Sequence, residues 1–96
     1  MRTVSGPNTP EYRGRMTEAA RAAIPVVLRA VGGTLATSEI HKAVQRRAPE
    51  VCDDSVQCHV RGHEHSEWEH QVDWALQHLK HRGVVKNAAR GLWKLV

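Results

Sequence analysis

The sequence has no phenylalanine, and its 96 residues include only two cysteines and one tyrosine. Without Phe, the core has to be filled by Trp68, Trp74, Trp93, Leu28, Leu76, Leu79, Leu92 and Leu95, with Val and Ala between them. Cys52 and Cys58 are too few and too close to frame a disulfide-stapled secreted domain, so a reduced, cytoplasmic setting is expected. No apolar run approaches the roughly 20 residues of a membrane helix, so no membrane is expected among the partners. The opening "MRTVSGPNTPEYRGRM" lacks the hydrophobic stretch of a secretory signal. Missing too are a Gly-rich phosphate loop, a nucleophile elbow and any internal repeat. A chain of this size reads as one small domain that buries roughly 60–65% of its unfolded surface.

Acidic residues are absent from one whole stretch. From Trp74 to Val96 the charges are Lys80, Arg82, Lys86, Arg90 and Lys94, with no acid, whereas from Val51 to Asp73 six acids face only Arg61. The net charge is +4. A basic segment of this kind suits a phosphate backbone, because each neutralised phosphate releases counterions. A solvated surface would carry the same charges.

What is present divides into elements. Residues 1–16, with Gly6, Pro7, Pro10 and Gly14 and no periodicity, predict a flexible basic arm ahead of a domain over residues 17–96. Thr17 is placed to cap a helix through "EAARAAIPVVLRAVGG", kinked or divided at Pro25 and stopped by Gly32-Gly33. Ile24, Val27, Leu28 and Val31 share one face of it. "TLAT" is long enough only for a stub of strand. Thr37 or Ser38 can cap a second helix that runs to Pro49, and Pro49 to His65 reads as a long loop. Ser66 and Glu69 form a capping box for the next helix. Its stripe of Trp68, Val72, Ala75, Leu76 and Leu79 is helical, and Gly83 ends it. Val84-Val85 and the run from Leu92 to Val96 flank "KNAARG" as a β-hairpin. The fold class is α+β, mainly α: three to four helices and a C-terminal two-stranded wing, a winged helix-turn-helix.

"GGTLATSEIHKAV", "VDWALQHLKHRGVV" and "ARGLWKLV" together resemble the winged-helix domain at the N-terminus of Mrr-type restriction enzymes and related modification-dependent nucleases. The resemblance rests on Gly32-Gly33, Ser38 to His41, Trp74-Ala75 with Leu79, and Arg90-Gly91 with Trp93 and Leu95, and it covers about residues 24–96. These positions are mostly structural. The resemblance implies the double-stranded DNA reading module of a bacterial restriction-type system, with methylated or otherwise modified DNA as its target. No PD-(D/E)xK or HNH signature is present, so the chain itself is not expected to be an enzyme. A nuclease domain would lie in the same or a partner chain.

Four constellations compete for function. The wing brings Lys86, Asn87, Arg90 and Lys94 together, and Arg90 suits a minor groove or a bidentate phosphate clamp. The start of the third helix offers Ser66, His70 and Gln71 for phosphate and adenine contact, with Glu67 able to accept from cytosine. Three acids there (Glu67, Glu69 and Asp73) oppose a polyanion. Trp74 sits off the core stripe beside Gln77, His78 and His81, either to stack on a base or to pack structurally. Arg13 and Arg15 of the arm would add phosphate contacts.

The last constellation is the loop. Cys52, Cys58, His59, His63 and His65, with His70 beyond them, are zinc ligand types. Cys52 and Cys58 lack CxxC spacing, however, and only His59 and His63 stand at i, i+4. All lie in one window, so the expectation is a polar loop with no metal and no other cofactor. "HEHSEWEH" is not HExxH, which argues against catalysis there. The alternative function is a protein-interaction or dimerisation winged helix whose acidic loop faces a basic partner or a second copy.

Overall fold

The structure, a computed structural model, describes residues 8–96. It holds three helices, α1 (Pro10–Val31), α2 (Thr37–Arg47) and α3 (Glu67–His81), and three short strands, β1 (Leu35–Ala36), β2 (Val85–Ala89) and β3 (Leu92–Leu95). The sheet is antiparallel, in the order β1-β3-β2.

Helix α1 begins a full two turns before the expected start. Thr9, not Thr17, is its N-cap: the Thr9 hydroxyl accepts from the Tyr12 amide, and Pro10 occupies the first turn, where its missing N–H costs nothing. Residues 10–16, expected to belong to a flexible arm, are thus helical, and Tyr12 and Met16 are buried. Residues 1–7 of that arm lie outside the described residues. Pro25 does not divide the helix either. It removes the amide that would bond the Arg21 carbonyl, yet Ala20, Ala23, Ile24 and Leu28 continue one buried face past it. Packing of that face outweighs the missing bond. Val27 is only half-buried and Val31 exposed, so the expected stripe holds at Ile24 and Leu28 alone. Gly32, with φ of 74°, donates to the Leu28 carbonyl and closes the helix.

Helices α1 and α3 run in the same direction along the centre of the molecule. Side-chain bonds climb both in step, from Asn8 with Glu67, through Thr17 with Gln71, to Arg21 with His78. All five expected stripe residues of α3 are buried. Helix α2 is capped by neither Thr37 nor Ser38. The N-cap is Ala36, whose amide donates to Glu39 Oε1 at 2.9 Å, while Ile40 and Val44 enter the core.

The connection from α2 to α3 is long, as expected, and well anchored. Tyr12 donates its hydroxyl proton to the Val51 carbonyl, Cys52 lies against Met16, and Trp68 Nε1 donates to Asp54 at 2.7 Å. A bridge between Gln57 and Ser66 then closes a small loop over residues 58–65. The C-terminal hairpin turns more tightly than "KNAARG" suggests: Lys86 to Ala89 are strand, with a bulge between Asn87 and Ala89, and Arg90-Gly91 make the turn. Gly91 has φ of 74°, open to glycine at no steric cost. The β1–β3 pairing carries no signal in the sequence. It joins the stub strand to the hairpin through Leu35 opposite Trp93. Three helices and a three-stranded antiparallel sheet are compatible with a winged helix.

Candidate functional site

The hairpin separates its basic residues by the pleat. Lys86 and Lys94 are direct cross-strand partners, so their side chains share the outer face of the hairpin. Lys94 is half-buried and also borders a cleft with Arg29 and the residues from Gly32 to Thr34. Arg90 is exposed in the turn. Asn87, expected to join this group, points the other way. It accepts from Lys80 Nζ at 2.8 Å and donates to the Leu92 carbonyl, tying β2 to the end of α3. Trp93 on the inner face donates to Thr37 Oγ1 at 2.9 Å, and the Thr37 amide donates to the Gly91 carbonyl, which braces the turn on α2.

The outer stripe of α3 carries Asp73, Trp74, Gln77, Lys80 and His81, all exposed. Trp74 is 59% exposed and takes no part in the core, so the expected structural packing is not found. The three acids that oppose a polyanion are each occupied. Glu69 accepts from the Ser66 amide at 3.0 Å, the reach-back bond of a capping box, and from the Ser66 hydroxyl at 2.9 Å. Asp73 meets His41 Nε2 at 2.7 Å. Glu67 is fully buried.

Glu67 is not a base-reading residue but the hub of an internal network. Its carboxylate accepts from Asn8 Nδ2 at 2.7 Å, the His59 amide at 2.8 Å and Gln71 Nε2, and pairs with His59 Nδ1 at 2.7 Å. Burial alone would raise its pKa, but the bonds from Asn8, Gln71 and His59 prevail and hold it at about 2. Gln71 is likewise withdrawn from any base: 6% exposed, it bonds Glu67 and Thr17. Ser66 is buried at the cap. Of the arm residues, Arg13 is half-buried and donates to Asn8 Oδ1 at 2.9 Å, while Arg15 is exposed with its guanidinium 6.0 Å from the Tyr12 ring centroid.

Beside the start of α3 the loop gathers its histidines. The Cys58 amide donates to the His65 carbonyl, which brings both residues to the neck of the small loop. His63 lies 4.7 Å from His65 between ring centroids, and His70, one turn into α3, stacks on His65 at 5.9 Å. Cys58 Sγ is 3.5 Å from His63 Nδ1. One donor atom from each of Cys58, His63, His65 and His70 falls within 4.8 Å of the others. Burial lowers the His70 pKa, the Glu67 carboxylate resists, and His59, His65 and His63 push it further down. His59 turns away to Glu67, and Cys52 is in the core, where burial raises its thiol to about 11. Neither therefore belongs to the tetrad, although Cys58, His59 and Glu67 form an overlapping group. The pattern Cys58-x4-His63-x-His65-x4-His70 is the signal available in the sequence, but only the loop closure at Gln57–Ser66 makes its members neighbours.

The architecture is that of a small α+β domain, mainly helical and compatible with a winged helix, and none of its described helices is long and apolar enough to cross a membrane. Residues 21–96 match the Mrr N-terminal domain, and the chain belongs to that family, a domain related to restriction systems. No curated protein and no solved structure matches it.

Proposed function

We propose that this chain is a double-stranded DNA reader that docks through the outer face of α3 and the wing. The carrying observation is the paired Lys86 and Lys94. Like charges placed directly opposite on a hairpin repel, and here no acid within the wing relieves them, so an anionic partner is the natural complement. Arg90 at the turn adds a bidentate phosphate or minor-groove contact. Trp74, with Gln77 beside it on α3, offers a stacking surface and a base-edge donor and acceptor. Membership of the Mrr N-terminal domain family supports a role beside a nuclease carried elsewhere, in the same or a partner chain, with this domain contributing recognition rather than cleavage. Modified DNA, methylated or otherwise, is the target class proposed for Trp74. Arg15 can add a phosphate contact from the first turns of α1, whereas Arg13, Ser66 and Gln71 are engaged within the fold.

The interaction-module alternative draws less support from the helix start, since Glu67, Glu69 and Asp73 are engaged within the fold, and rests on the exposed loop acids Asp53, Asp54 and Glu64. Binding to short duplexes over a range of salt separates the two. The affinity is expected to fall linearly in log–log form. Lys86→Ala with Arg90→Ala should weaken all duplexes alike and reduce the slope by about 0.9 for each phosphate no longer neutralised. Trp74→Ala should reduce discrimination between methylated and unmodified duplexes while leaving the slope unchanged. Salt-independent binding, or none to either duplex, would sink the proposal.

A further inference from the structure

We infer that Cys58, His63, His65 and His70 form a structural zinc site that clips the loop ahead of α3 to the first turn of that helix. Donor chemistry is the first support. One thiolate and three imidazoles are the borderline-soft set that a tetrahedral Zn²⁺ ion takes. Zinc bonds of roughly 2.0–2.3 Å place neighbouring donors of a tetrahedron about 3.3–3.7 Å apart. The 3.5 Å between Cys58 Sγ and His63 Nδ1 already lies in that range, and all four donor atoms fall within 4.8 Å of one another.

A second observation comes from hydrogen bonding. His65 Nε2 is buried and has no partner, the sole such side-chain atom among the described residues. A buried ring nitrogen left bare is costly in a protein interior, and a metal ion satisfies it without a donor proton. His63 and His70 likewise have no carboxylate hydrogen-bonded to them among the described residues, so no ion pair accounts for the crowding of the rings.

The overlapping group of Cys58, His59 and Glu67 is the weaker candidate. The Glu67 carboxylate is already committed to Asn8, Gln71 and His59, and a metal there would displace those bonds. With Glu67 so engaged, four protein donors close the coordination sphere at the tetrad and leave no position for substrate, which makes the site structural rather than catalytic. Its consequence is mechanical. The neck of the loop and His70 in the first turn of α3 become one rigid piece, independent of whether α3 reads DNA.

The test uses the full chain without a histidine tag. After equilibration with zinc sulfate and exhaustive dialysis, elemental analysis should find one zinc per chain. Cobalt(II) in place of zinc should give the intense d–d absorption of a four-coordinate ion together with a thiolate-to-cobalt band. Cys58→Ser should remove that band and Cys52→Ser should keep it. His65→Asn combined with His70→Asn should lose the bound metal, with far-UV circular dichroism reporting the helices. Substoichiometric zinc, or the faint spectrum of octahedral cobalt in the unaltered chain, overturns the inference without reference to any variant's folding. A thiolate band that survives Cys58→Ser, or metal uptake undiminished in the histidine double variant, overturns it too.

Discussion

Glu67 occupies the first turn of a helix, where an acid ordinarily faces solvent and complements the helix dipole. Here it is fully buried, and the residues that hold it come from α3 itself, the histidine loop and the segment ahead of α1. Nothing in the local sequence marks this, because burial depends on Asn8 and His59 arriving from elsewhere. The same hidden partnership withdraws Gln71 from the surface where its position in the sequence would put it. Replacing Glu67 with Ala leaves these donors bare and should cost about 2–4 kcal/mol in urea unfolding. Glu67→Gln, which keeps an acceptor, should cost less. Cys52 gives a second measurable contrast. Its thiol, held at about 11 by burial and then by Glu50 and Asp54, should resist alkylation at pH 8 in the folded, metal-free chain, while Cys58 reacts. Because the unfolded thiol ionises near 9.0 and the folded one near 11, its contribution is complete below pH 9 and lost as pH rises to about 11. Cys52→Ala should flatten that alkaline decline in thermal unfolding.

At the scale of elements, α3 is the most legible. Its capping box, five-residue apolar stripe and terminal Gly83 agree with one another, and local consistency of this kind is what a sequence displays. Helix α1 is less legible because Pro25 and Thr17 are strong local signals, while the reason to override them lies in α3 and in the loop around Cys52. Pro25→Ala restores the amide for the Arg21 carbonyl and should stabilise the chain by about 1–3 kcal/mol in denaturant melts. A loss of stability would mean that the ring's packing, or the stiffness it gives the unfolded chain, outweighs the bond. The hairpin lies where alternation and Gly91 place it, but its turn cannot be located from "KNAARG", since Asn87 is held in the strand by Lys80 and Leu92.

For the whole molecule, the long-range ties are what the sequence conceals. The histidine tetrad, the β1–β3 pairing and the N-terminal turns of α1 each join segments that carry no local mark of one another. A chain beginning at Thr17, the boundary that composition suggests, would lack Tyr12 and Met16 from the core and Asn8 from Glu67. The core losses alone are worth several kcal/mol each, against the roughly 5–15 kcal/mol that stabilises a small domain. It should show no cooperative thermal transition by circular dichroism, whereas a dispensable arm would leave the melt unchanged.

The strand order carries a further consequence, for the chain as it is made. The middle strand, β3, is later in sequence than both of its neighbours. Neither outer strand has a ladder partner until residues 92–95 are in place, so β1 and β2 stand unpaired on either side of an empty slot until the last strand is laid between them. The sheet therefore closes in one late event, and a chain truncated before Leu92 would leave both outer strands with open edges.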